Sequence, residues 1–338
     1  MDTAPWYTEC TVLPCVGTYE TRGTGDYSMA SLGHNRAMLV STDHTSDDAT
    51  HAVSGGTPVA CWRILTLSPD RTIKSQRIPG PYNPNGMYGM QLERVGEVVV
   101  AYGGVLWGED LVSMVPIWFM AVYSIDTGVW ETIPRPEGST SPTPSFHPYV
   151  FPLGDTLVVV RGSSDNGETW EWSLETREWT RCGVERREIR TLIGLNTTGT
   201  THQHRLCWQH SHHIYGKAHL VYAQRRWTRE EPMPSMEDRQ TAVPILSVPL
   251  YGGQQLNVLR KYYPEKRMRC TEVCLCDAVS LSQVALDPLP LISHELRGLI
   301  RGSTSVMLNP ITVLWVGRGI TVLIDIKPDM LGPENHPI

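Results

Sequence analysis

Short runs of consecutive apolar residues, each opened by a glycine-and-acid turn and closed by glycine or polar positions, recur along this 338-residue chain. Gly96-Glu97 opens Val98-Val99-Val100-Ala101-Tyr102, and Gly154-Asp155 opens Thr156-Leu157-Val158-Val159-Val160. A brief run that is apolar at successive positions predicts a strand covered on both faces, as in a sheet held between two neighbouring sheets. A second pattern follows each run: Tyr123 and Trp130, and again Trp172 and Trp179, stand seven positions apart. Asp126-Thr127-Gly128 and Glu175-Thr176-Arg177 lie between them and predict short turns joining antiparallel strands. Leu65 to Ile73 and Val273 to Leu281 overlay the same hairpin, with Thr66 and Ile73 at the seven-position spacing, and Tyr222 with Trp227 is a tighter version. After Tyr102, the pair Gly103-Gly104 ends its strand where a side chain would collide with a neighbouring backbone or ring.

The repeat divides the chain into six modules, at about 27–80, 85–136, 146–183, 189–234, 240–287 and 291–327. The last module lacks an outermost strand, and Trp6 to Pro14, with nothing before it, supplies one. The predicted fold is therefore all-β and a single domain over 1–338. It is a six-bladed β-propeller of four-stranded antiparallel blades, closed by the N-terminal strand joining the last C-terminal blade. In the fifth module Leu246–Gly253 and Leu256–Leu259 both fit the second strand, and Pro249 weighs against the former. The longest loops within modules run from His44 to Pro58 and from Val105 to Pro116.

The segment from Gly96 to Trp130, with its glycine pair Gly103-Gly104 followed by Tyr123 and Trp130, resembles the Kelch repeat. The next module carries Gly162-Ser163 where the pair would stand, and keeps the aromatic spacing in Trp172 and Trp179. Six modules in 338 residues give about 56 residues each, close to the roughly 50 of a Kelch unit. The resemblance implies a rigid disc whose loops bind another protein: a non-enzymatic scaffold or adaptor, monomeric and without a cofactor. Trp107, beside Glu109 and Asp110 in the long loop of the second module, is the candidate partner contact.

Composition agrees with an all-β chain, since 29 glycines and 25 prolines punctuate it and no long stretch has helical periodicity. A net charge of −6 argues against nucleic acid as a partner. Arg260 to Arg269 is locally basic and aromatic, and reads as a solvated loop. The N-terminus has no basic region followed by an apolar stretch, and no run approaches the roughly 20 apolar residues of a membrane span. These features, with eight cysteines in no small-domain framework, predict a cytoplasmic protein that does not engage a membrane.

Three constellations bear on chemistry. Ser163, Asp165, Gly167, Thr169 and Trp170 match the Asp-box of sialidases at every defining position, and in those proteins the box is a structural hairpin. Physically it is a side-chain-capped turn, with Gly167 free to take positive φ and Asp165 bonding loop donors. It keeps open a sialidase-like glycoside hydrolase or other propeller enzyme as the alternative reading, and Arg77-Ile78-Pro79 matches an early Arg-Ile-Pro signature of such enzymes. A third reading is a metal-binding propeller, in which His202 and His204 share a strand face and His210 or His212 is brought back by a hairpin; His213 and His219 complete the histidine-rich stretch. Cys270, Cys274 and Cys276 lack paired ligands elsewhere and read as buried thiols.

Overall fold

A computed structural model describes residues 7–13, 27–44, 58–81, 87–107, 114–138, 140–145, 148–160, 168–184, 197–202, 205–212, 216–230, 241–250, 254–263, 268–277, 283–287, 289, 304–317 and 320–330. The chain begins with β1 (Tyr7–Leu13) and then forms a first sheet from β2 (Ser28–Gly33), β3 (Arg36–His44), β4 (Pro58–Leu67) and β5 (Ile73–Arg77), in that order. Next come β6 (Met87–Tyr88), β7 (Gln91–Val95), β8 (Val98–Tyr102), β9 (Val105–Trp107), β10 (Met114–Pro116), β11 (Met120–Ser124) and β12 (Trp130–Thr132). Of these, β7, β8, β11 and β12 make the second four-stranded sheet, while β6, β9 and β10 form a separate three-stranded one.

The third sheet is β13 (Tyr149–Leu153), β14 (Thr156–Val160), β15 (Glu168–Ser173) and β16 (Trp179–Val184). The fourth is β17 (Thr197–His202), β18 (Arg205–His212), β19 (Gly216–Ala223) and β20 (Arg226–Glu230). The fifth is β21 (Thr241–Pro249), β22 (Gln254–Tyr263), β23 (Met268–Asp277) and β24 (Gln283–Leu286). The sixth takes β25 (Thr304–Asn309), β26 (Thr312–Gly317) and β27 (Ile320–Ile326) and finishes on β1, whose Val12 stands opposite Val322.

All described pairings are antiparallel, and the fold is all-β, with four-stranded sheets packed face to face in a propeller-like manner. The apolar runs show why: successive side chains of a strand leave opposite faces, and both faces are covered. In β3, Met38 and Val40 pack with Leu92, Val99 and Tyr123 of the second sheet. Their neighbours Ala37 and Leu39 pack with Leu308, Leu314 and Leu323 of the sixth. Val100 and Tyr102 meet Leu157, Val159 and Trp172 of the third sheet, and Val158 and Val160 meet Tyr222 and Trp227 of the fourth. The first strand of each sheet touches the first strand of the next, and β25 touches β2.

Two expectations need correction, and one open alternative is decided. The span from Val105 to Pro116 is not a bare loop, because β9 and β10 pair within it and β6 adds to β9. In the fifth sheet both competing segments are strands: Leu246–Pro249 belongs to the first, which tolerates Pro244 at a register shift on a sheet edge, and Leu256–Leu259 belongs to the second. In the first sheet Ile73 stands opposite Leu67 rather than Thr66. The turn is one residue shorter there because the Asp70 carboxylate captures the Thr72 hydroxyl at 2.8 Å, while Arg71 turns at φ 62°.

Candidate functional site

The repeated aromatics turn out to be connectors between sheets. Tyr123 lies directly across from Trp130 with ring centroids 5.1 Å apart, Trp172 across from Trp179, and Tyr222 across from Trp227 at 5.0 Å. In each hairpin the tryptophan also reaches the preceding sheet. Trp130 meets Trp62 edge-on at 4.8 Å, and Trp179 meets Tyr102 and Trp118 at 5.7 and 5.8 Å. Trp227 instead donates its ring N–H to the Thr169 hydroxyl at 2.8 Å. Gly103 turns at φ 75°, and a Cβ there would sit 3.1 Å from the Pro148 ring; Gly104 follows at φ 125°.

The junction of the third and fourth sheets carries a buried polar cluster. Glu171, buried on β15, accepts from the Tyr222 hydroxyl and from Arg225 Nε, both at 2.8 Å. Burial pushes the Tyr222 hydroxyl well above the ordinary tyrosine range, with Cys182 and Glu171 adding to the effect, so it remains a donor. Sequence reasoning missed Glu171, because an acid in the run Glu168 to Ser173 reads as the solvent-facing half of an alternating strand.

Of the Asp-box residues, Ser163, Asp165 and Gly167 lie outside the described residues, between β14 and β15. Thr169 and Trp170 are the second and third residues of β15, where both are buried: Thr169 accepts from Trp227, and Trp170 donates to Glu168 at 3.3 Å beneath the Arg181 guanidinium. Both described members thus serve packing. Arg77 ends β5 as an exposed residue.

The strand register separates His202 from His210. His202 pairs with Arg205, while His210 pairs with Thr197 five residues further along. At about 3.4 Å per residue that is roughly 17 Å of strand, beyond what two side chains on one ion can span. His204 and His213 lie outside the described residues, and His219 is placed opposite Gln209. Cys274 is buried on β23, where Cys270 pairs with Lys261 and Cys276 with Gln255.

Antiparallel order sorts the connections onto two rims. Turns between first and second strands and between third and fourth share one rim; loops between second and third strands, and links between sheets, share the other. The second rim carries the three-stranded sheet, with β6 against β4 and β10 at the outer edge. Val115 at the middle of β10 is 52% exposed, and Trp107 at the end of β9 is paired with Met114. Glu109 and Asp110 fall outside the described residues.

One further group lies where first strands of neighbouring sheets meet. Glu93 sits on β7, the strand that adjoins β2 and β13, hemmed in yet partly open to solvent. No partner for its carboxyl occurs among the described residues, and burial pushes its pKa up to about 8.

No family model matches the chain, and no curated protein does. Among solved structures 336 chains match it, so the architecture is widely shared. One of these, the structure of YjhT, gives a TM-score of 0.56 at 10% identity, covering 90% of this chain and 96% of that one. At such identity the likeness speaks to the fold alone.

Proposed function

We propose that the six four-stranded sheets are the blades of one closed, Kelch-type propeller and that the protein is a non-enzymatic scaffold for another protein. Support for the ring comes from the first strands, which touch in the cyclic order β2, β7, β13, β17, β21, β25 and back to β2, and from β1 completing the sheet of β27. The observation that carries the functional reading is the added β6–β9–β10 sheet. It serves no connection a propeller needs, and it presents Val115 and the end of β9 at a rim. An apolar side chain exposed on a free edge strand offers a partner both burial and backbone pairing.

The test is capture with the purified full chain as bait, comparing Val115→Asp and Trp107→Ala with Val129→Asp, an exposed valine at the opposite rim. The account expects a specific partner to be lost with the first two and kept with the third; a partner retained by all would contradict it. Glu93 favours a second reading, a propeller enzyme of the sialidase-like hydrolase type, since an enclosed carboxyl that keeps its proton near neutral pH suits a general acid. Turnover of a fluorogenic sialoside that Glu93→Gln abolishes would support that reading, and absence of turnover by the unmodified protein would count against it.

A further inference from the structure

At the rim of the tight turns, polar bonds tie three of the junctions between sheets. Asn309 donates to Asn35 at 2.7 Å and Arg71 reaches Asp325 between the sixth and first sheets. Arg177 meets Glu131 at 3.4 Å between the second and third, and Arg225 meets Glu171 at 2.8 Å between the third and fourth. The junction of the first and second sheets has no such tie at this rim among the described residues. It holds a cleft of about 430 Å³ instead, within the range of small-molecule sites.

The charges around this cleft are unevenly spent. Arg94, on the second sheet's wall, is used within its own turn: Nε donates to the Gly96 carbonyl at 2.9 Å and Nη2 lies 3.3 Å from Glu97. Its Nη1 is directed at Gly33, where a Cβ would lie only 3.1 Å away. Arg36 on the first sheet's wall, half-buried, makes no hydrogen bond or ion pair among the described residues, and neither does Asp126 on the opposite wall. His34, held in the left-handed region at φ 51°, adds donors at the mouth. The Arg36 nitrogens are not sealed from solvent, so the guanidinium fork is available for bidentate pairing with a carboxylate.

We propose that this cleft binds a small zwitterion, its carboxylate on Arg36 and its ammonium on Asp126. A simple anion would face the Asp126 charge, a simple cation would face Arg36, and a polyphosphate would be repelled by Asp126 while Glu97 already neutralises Arg94. An ω-amino acid satisfies both walls. This inference is independent of any protein partner, because the cleft opens on the rim opposite the β6–β9–β10 sheet.

The experiment is calorimetric or NMR titration of the full chain with ω-amino acids from glycine to aminohexanoate, alongside the carboxylate and the amine of matching length. The proposal expects one chain length to bind about tenfold or more tighter than either of its single-charge analogues. Arg36→Gln should bring that zwitterion down to the level of the amine, and Asp126→Asn down to the level of the carboxylate, with thermal unfolding unchanged. No binding by any member at millimolar concentration, equal binding by all three charge types, or unaltered affinities in both variants would overturn it.

Discussion

At the scale of single residues, the polar groups inside this molecule fall into those with partners and those without. Glu171 is held by Tyr222 and Arg225, and Thr169 by Trp227, so the desolvation of each is offset by bonds across a sheet junction. Glu93 has no such offset, and its raised pKa makes a prediction with a definite sign. The folded state holds a proton up to about pH 8, whereas the unfolded chain releases it near pH 4.5. Between those values the native state binds more protons than the unfolded state, so stability falls as pH rises through the window. Glu93→Gln removes that slope. Urea unfolding at pH 5, 6, 7 and 8 checks it: a wild-type decline that persists unchanged in the variant would show that Glu93 is not its source.

At the scale of elements, each hairpin carries its own instructions for docking on the sheet before it. The seven-position spacing of Tyr123 with Trp130 and Trp172 with Trp179 was legible because both members sit at directly opposed sites of a short antiparallel turn. It failed at Thr66 and Ile73, where capture of Thr72 by Asp70 shortened the turn by one residue. The hairpin of β9 and β10 was also hidden, since two three-residue strands in a loop leave no alternation to detect. Glu93 was invisible for another reason: in Gln91-Leu92-Glu93-Arg94-Val95 the polar positions look solvated, and only the neighbouring sheets enclose them. Gly103 is the element-scale test. Gly103→Ala would force a side chain into a left-handed turn against Pro148, and should cost about 1–2 kcal/mol, read as a lowered denaturant midpoint with an unchanged slope. A variant as stable as the parent would mean that the turn relaxes freely.

At the scale of the whole molecule, the two ends of the chain meet in one sheet. β1 covers what would otherwise be the bare edge of β27, and an uncovered edge invites pairing with other chains. Polar contacts reinforce the seam: Arg71 from the first sheet reaches Glu9 on β1 at 3.3 Å and Asp325 on β27, and Asp325 also accepts from the Thr312 hydroxyl at 2.8 Å. This arrangement was legible in the sequence as a surplus strand at one end and a missing strand at the other. The bond of Arg71 to Asp325 was not, because it joins residues 254 positions apart.

The most direct test of the proposed ring uses the native Cys10, which stands opposite Ile324 where the two terminal strands pair. Directly opposed Cβ atoms lie about 4.5–5.5 Å apart, near enough for a disulfide after a small adjustment. Mild oxidation of Ile324→Cys should give an intramolecular bond to Cys10, assigned by peptide mapping, whereas Leu323→Cys, on the other face of β27, should give none. A Leu323→Cys bond to Cys10, or no bond to Cys10 in either variant, would contradict the account.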